Sequence, residues 1–165
     1  MNRIARLAVL FLTLCLALPA VADHAQQMLM SRVAMKSELA IEYLKTAIEE
    51  HGYALAHIQK CDSGLAGFGF HSDTYRVLFF GKLAEVRRIS DEHPEFTPYL
   101  PLKIAVEAEK DETLMVAVDP TTFERYFAGD EEMIVQFRRW RNDILSIFQD
   151  VQKAAGDRVA QLARP

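Results

Sequence analysis

Near the carboxyl end, Met133, Phe137, Trp140, Ile144, Ile147, Val151 and Ala154 step by 4, 3, 4, 3, 4 and 3 residues. A seven-residue apolar repeat sustained for three heptads predicts one long helix with a single stripe. Asp130, Glu131 and Glu132 open it, at the helix end where negative charge is favoured, so the helix is expected over 130–155. Ile134, Leu145 and Phe148 widen the stripe, while Arg138, Arg139, Arg141, Asp143 and Asp150 fall mostly outside it. A stripe of that length has to be covered. Either the chain's own sheet covers it, or Phe137, Trp140, Ile144, Ile147 and Val151 meet a second copy (a homodimer) or an envelope protein partner. The acids on the helix make a membrane surface a minor option.

Residues 1–22, MNRIARLAVLFLTLCLALPAVA, read as an address rather than as part of the fold. Arg3 and Arg6 form a short positive region. Leu7 to Leu18 is an apolar run broken only by Thr13, and Ala20-Val21-Ala22 offers a small-x-small cleavage pattern. The run is shorter than the roughly 20 residues of a permanent span. The expectation is a signal peptide cut after Ala22, a mature chain in the periplasm, and no stable membrane anchor after cleavage. Cleavage removes two of 19 basic residues and none of 23 acidic ones, moving the net charge from −4 to −6. That balance argues against a nucleic-acid binder, which needs a basic face for phosphates. Cleavage also removes Cys15 and leaves Cys61 alone, so no internal disulfide can form and the remaining 143 residues must be held by their core.

The rest of the chain alternates strand and helix signals. Met28 to Met35 can enter as a strand, and Ser37 is a good N-cap for a helix whose apolar side holds Ile41, Leu44, Ala47 and Ile48. Gly52 stops that helix. In 53–60, Tyr53, Leu55, His57 and Gln59 alternate with Ala54, Ala56 and Ile58, as a two-faced strand would. Residues 61–73 are loop-like, with a possible short helix at 63–68. YRVLFF, at 75–80, is a dense β-branched and aromatic run ended by Gly81 and reads as a central strand. A short helix at 83–92, a stiff segment with Pro94, Pro98 and Pro101, a hairpin over 102–118 and a short helix at 121–127 complete the order. These elements predict an α/β (α+β) sandwich, a small mixed sheet with helices packed on it, over 28–128, and a helical extension over 129–165.

The residues LKTAIEEHGYALAHIQ, YRVLFFGK and YLPLKIAVEAEKDETLMVAVDPTTF, between Met35 and Phe127, resemble the domain-of-unknown-function 302 family, the TT-seventeen-fifty-one-like fold. The shared pattern is a helix ending in Glu-x-Gly-aromatic (Glu50 to Tyr53), a strand into a Gly turn (Phe80-Gly81), Leu100-Pro101 before the hairpin and Asp119-Pro120 after it. This chain has Lys82-Leu83 where many members have Asn-Pro, and Lys60-Cys61-Asp62 where many have an Asp-His-like pair. The resemblance implies a fold and no reaction.

Four residues are candidates for a ligand site between sheet and helices: Cys61, His71, Tyr75 and Asp119. Cys61 lies beside Lys60 and Asp62, and a loop thiol near a cation can act as a thiolate; it can equally be a small buried hydrophobe. A metal alternative gathers His57, Cys61 and His71, although extended geometry can hold His57 and Cys61 ~13 Å apart. Asp119 can serve as a base, but an Asp before Pro120 commonly caps a helix such as the one at Thr121 and Thr122. His24 and His51 read as solvated or structural. Gly64 to Gly69 lacks the Lys-Ser/Thr ending of a phosphate loop, and no Ser/His/Asp elbow is present. No cofactor is legible. The chain therefore reads as a binding or assembly protein for a small ligand or envelope partner, with a thiol- or metal-linked redox role through Cys61 as the alternative.

Overall fold

The computed structural model describes residues 27–69 and 73–162. The expected signal peptide and His71 lie outside the described residues. Five strands are present: β1 (Met28–Val33), β2 (Ala54–Lys60), β3 (Tyr75–Gly81), β4 (Leu102–Glu109) and β5 (Glu112–Val118). The helices are α1 (Ser37–Glu50), α2 (Cys61–Leu65), α3 (Leu83–Glu92) and α4 (Glu131–Leu162), with 3-10 segments at Ala66–Phe68, Pro94–Tyr99 and Pro120–Tyr126. The chain is an α/β sandwich with a long C-terminal helix, as the patterning predicts.

The sheet runs β1-β5-β4-β3-β2, and every pairing in it is antiparallel rather than mixed. The helical connections explain the difference. β1 and β2, joined by α1, run the same way but occupy opposite edges, so no parallel pair forms. β3 leaves and β4 enters at the same end of the sheet, with α3 and Pro94–Tyr99 between them.

Two local expectations need correction. Ser37 does not cap α1. Lys36 holds the cap position in an extended conformation with no side-chain cap, its carbonyl accepts the amides of Leu39 and Ala40, and Ser37 is buried in the first turn. β2 does not alternate throughout, because a bulge falls between Leu55 and His57. Leu55 pairs with Phe80 and Ile58 with Leu78, so both face the core, and His57 turns to the other side opposite Phe79.

The core lies between the sheet and helices α1 and α4. Leu78, Phe80, Ile104, Val106 and Met115 supply the sheet side; Leu44 and Ile48 come from α1. Met133, Phe137, Trp140, Ile144, Ile147 and Val151 of α4 are at most 1% exposed. The heptad stripe is thus covered within the chain, so Phe137, Trp140, Ile144, Ile147 and Val151 are not a free surface in this fold. Asp130 Oδ1 accepts the Met133 amide at 3.0 Å and starts α4, which runs seven residues past the expected end at 155. The other sheet face is more open, with Met28, Met30 and Val118 exposed. Among the described residues no helix is long and apolar enough to cross a membrane.

Candidate functional site

The register places the four shared motifs at one end of the sheet. Ala54 pairs with Gly81 and Phe80 with Leu102, while β5 runs out at the same end into Asp119. Gly52 takes φ +75°, the left-handed conformation that closes α1 and leads into Tyr53. A Cβ on Gly81 would stand 3.0 Å from Val86 Cγ2 and 3.5 Å from Pro101 Cβ, so only a glycine lets β3 pass under α3 without displacement. The Leu100–Pro101 peptide is cis.

Polar side chains are tied down around this end. Asp119, 4% exposed, accepts from Thr121 N at 3.0 Å, Thr121 Oγ1 at 2.7 Å and Arg141 Nε at 2.8 Å. It is the expected cap of the 120–126 segment and also anchors α4. Its carboxylate is fully engaged, which fits a structural pin better than a base. Glu85 accepts from Trp140 Nε1 at 3.1 Å and pairs with Arg139 at 2.7 Å. Tyr53 donates to Asp143 Oδ2 at 2.5 Å, and the Lys82 ammonium lies 4.5 Å from its ring centroid.

Burial, reinforced by the Asp143 hydrogen bond, pushes the Tyr53 phenol well above its ordinary value of 10.0. The unfolded chain gives up this proton near pH 10; the folded chain keeps it. Stability is therefore expected to fall as pH rises above about 10, by up to about 1.4 kcal/mol per pH unit. Lys103, whose pKa burial lowers, acts in the opposite direction but at lower pH, its contribution rising with pH only up to its unfolded value of about 10.4. Denaturant unfolding of Tyr53→Phe beside the unchanged chain at about pH 9 and about pH 11 isolates the Tyr53 part, which vanishes in the variant.

Between these anchors lies an aromatic cluster. Phe96, 3% exposed, is its hub, with ring centroids of Tyr99 at 5.3 Å, Phe123 at 5.1 Å, Phe127 at 5.7 Å, Phe137 at 5.3 Å and Trp140 at 6.3 Å. Two cavities share Phe96, Tyr99 and Phe123 as walls. The larger, about 340 Å³, is completed by Thr122, Arg125, Tyr126 and Phe127. The smaller, about 80 Å³, reaches between the ends of β4 and β5 to Lys103, Val118, Trp140 and Ile144. Tyr99 and Tyr126 are 51% and 65% exposed, so aromatic faces remain open at this cleft.

The sequence-derived candidates do not converge here as a set. Asp119 does. Tyr75 begins β3 and Cys61 follows Lys60, opposite Arg76, both at the far end of the sheet. Cys61 is half-buried with its Sγ 4.0 Å from Gln59 O, and the neighbouring Asp62 is held below the usual carboxylate range by Arg76, 2.5 Å away. His57 is exposed on the open face, 3.3 Å from Gln59 Oε1, three rungs before Lys60. His51 ends α1 and pairs with Asp150 at 2.8 Å. Among the described residues no three His, Cys, Asp or Glu side chains are placed to hold a metal ion. Phe96, Tyr99, Phe123 and Lys103 escaped sequence reading, although FTPY and PTTFERYF carried an aromatic density that marks their segments.

The model of the family described as "Domain of unknown function DUF302" matches residues 29–144. The chain belongs to the DUF302 family. A solved structure described as an uncharacterized conserved DUF302 protein from Bacillus stearothermophilus is 16% identical, with a TM-score of 0.66 over 75% of this chain and 97% of that one. At that identity the likeness shows the fold alone. No curated protein matches the chain. The match runs from β1 to residue 144 of α4.

Proposed function

We propose that this DUF302 protein is exported to the periplasm and binds a small apolar or aromatic ligand without transforming it. The aromatic cleft of about 340 Å³ carries the reading. Its volume lies in the range of small-molecule sites, and its walls are mainly apolar rings with a few polar groups. Rigid rings give contact area with little entropy to lose on binding, and the Phe96 cluster fixes them from behind. The carboxylates nearby, buried Asp119 and half-buried Asp143, are already bonded to protein partners, which suits a scaffold more than proton transfer. Export rests on the pattern of residues 1–22.

One preparation tests both parts. Protein released from the periplasm of an exporting host is expected to begin at Asp23 by intact mass. Titrated with the neutral fluorophore N-phenyl-1-naphthylamine, it is expected to take up one equivalent with a rise in emission. Phe123→Asp, which places a charge in the shared wall, is expected to abolish uptake. A chain retaining residues 1–22 in the cytoplasm overturns the export reading. Absence of saturable uptake, or uptake unchanged in Phe123→Asp, overturns the binding reading.

A further inference from the structure

We infer that the ligand of this cleft is a flat apolar molecule bearing one anionic group, and that Lys103 is the residue that selects the anion. The inference rests on the binding reading above and adds the chemical class. The two cavities that share Phe96, Tyr99 and Phe123 are lined by two cations, Lys103 and Arg125, and by no carboxylate. In a chain with net charge −4, such a lining is a local reversal of sign. An anion fits it and a cation does not.

The two cations are not equivalent. Arg125 donates to the Tyr126 hydroxyl at 2.8 Å, and its guanidinium lies 4.7 Å from the Tyr126 ring centroid, so it is already occupied at the rim. Lys103 stands on β4, half-buried, with its Nζ 3.2 Å from Pro98 O and 5.8 Å from the Phe79 ring centroid. Among the described residues no carboxylate pairs with it. An ammonium has three N–H donors, and one backbone carbonyl satisfies one of them. Burial lowers the Lys103 pKa, the mark of a charge withdrawn from water without a counter-ion. An anionic group entering the smaller cavity would supply that counter-ion while the apolar body lies in the larger one, against the wall formed by Tyr99 and Phe123, whose rings pack on each other with centroids 4.5 Å apart. A charge-assisted hydrogen bond at a partly desolvated site discriminates well against a neutral isostere.

The test compares 2-naphthoate with 2-naphthamide, which share a ring system and differ in charge, by calorimetric titration of the purified protein. 2-Naphthoate is expected to bind at least tenfold more tightly. Lys103→Met, which keeps the length and apolar stem, is expected to erase the difference by weakening 2-naphthoate alone; Lys103→Arg is expected to retain it. Lys103→Gln serves as a second neutral variant, and uptake of 2-naphthamide shows that either variant is folded. Equal affinities in the unchanged protein, or a preference that survives in both neutral variants, overturn the role of Lys103 and leave the cleft reading standing if N-phenyl-1-naphthylamine still binds. Failure of all three probes to bind overturns both.

Discussion

A Phe96→Ala chain is expected to unfold with about 3–5 kcal/mol less stability than the unchanged protein. Phe96 sits in the short 3-10 segment Pro94–Tyr99, and its ring meets rings from Pro120–Tyr126 and from α4. Removing it opens a cavity where three separate pieces of chain join, and none of them can move in without breaking its own anchors. Asp119 is held by Thr121 and Arg141, and Trp140 by Glu85. The individual ring pairs are worth about 0.5–1.5 kcal/mol each and do not simply add, so the transfer and cavity terms set the magnitude. Denaturant unfolding followed by the emission of Trp140, the one tryptophan of the chain, reads the loss directly. A loss below about 1 kcal/mol would mean that the segments collapse onto α4 without Phe96 and that the cleft walls are not fixed from behind.

Much of this architecture is legible in the chain because its signals are local. Alternation and turn chemistry place β4 and β5, the YRVLFF run places β3, and the amphipathic pattern places α3 at its observed bounds. The bulge in β2 is not local in this sense. Ala54 to Lys60 alternates without interruption as a sequence, and only pairing with β3 shows that one residue is extra. The mixed sheet had the same origin: helical connections suggest parallel neighbours, but which strands become neighbours is decided by the whole topology. The candidate site suffered most. Cys61 and Tyr75 were attractive for their chemistry and Asp119 for its motif, yet the first two lie at one end of the sheet and Asp119 at the other. The residues lining the aromatic cleft, Phe96, Tyr99, Phe123 and Lys103, are ordinary residues that come together only when Pro94–Tyr99, β4 and Pro120–Tyr126 meet in the fold. Asp119 was legible because its capping partner is two residues away; its second partner, Arg141, twenty-two residues on, was not.

An Ile147→Ala substitution is expected to remove about 2–5 kcal/mol of stability, and to do so equally at all protein concentrations. The heptad pattern by itself allows two origins for the energy of α4. If the stripe were a seam between copies, Ile147 would be open in the single chain, its truncation would change association, and the unfolding midpoint would shift with dilution. In the fold Ile147 is 0% exposed, with Ile144, Val151 and Phe137 equally enclosed. Truncation there leaves a void among residues of one chain, which produces a loss that dilution cannot alter. Unfolding in denaturant at two concentrations a hundredfold apart separates the cases, since an isologous dimer gains or loses about 1.4 kcal/mol for each tenfold change. A midpoint that moves with concentration would place part of the stripe against a second copy. A constant midpoint with the full loss leaves any partner to surfaces other than this one, among them the open sheet face around Met28, Met30 and Val118.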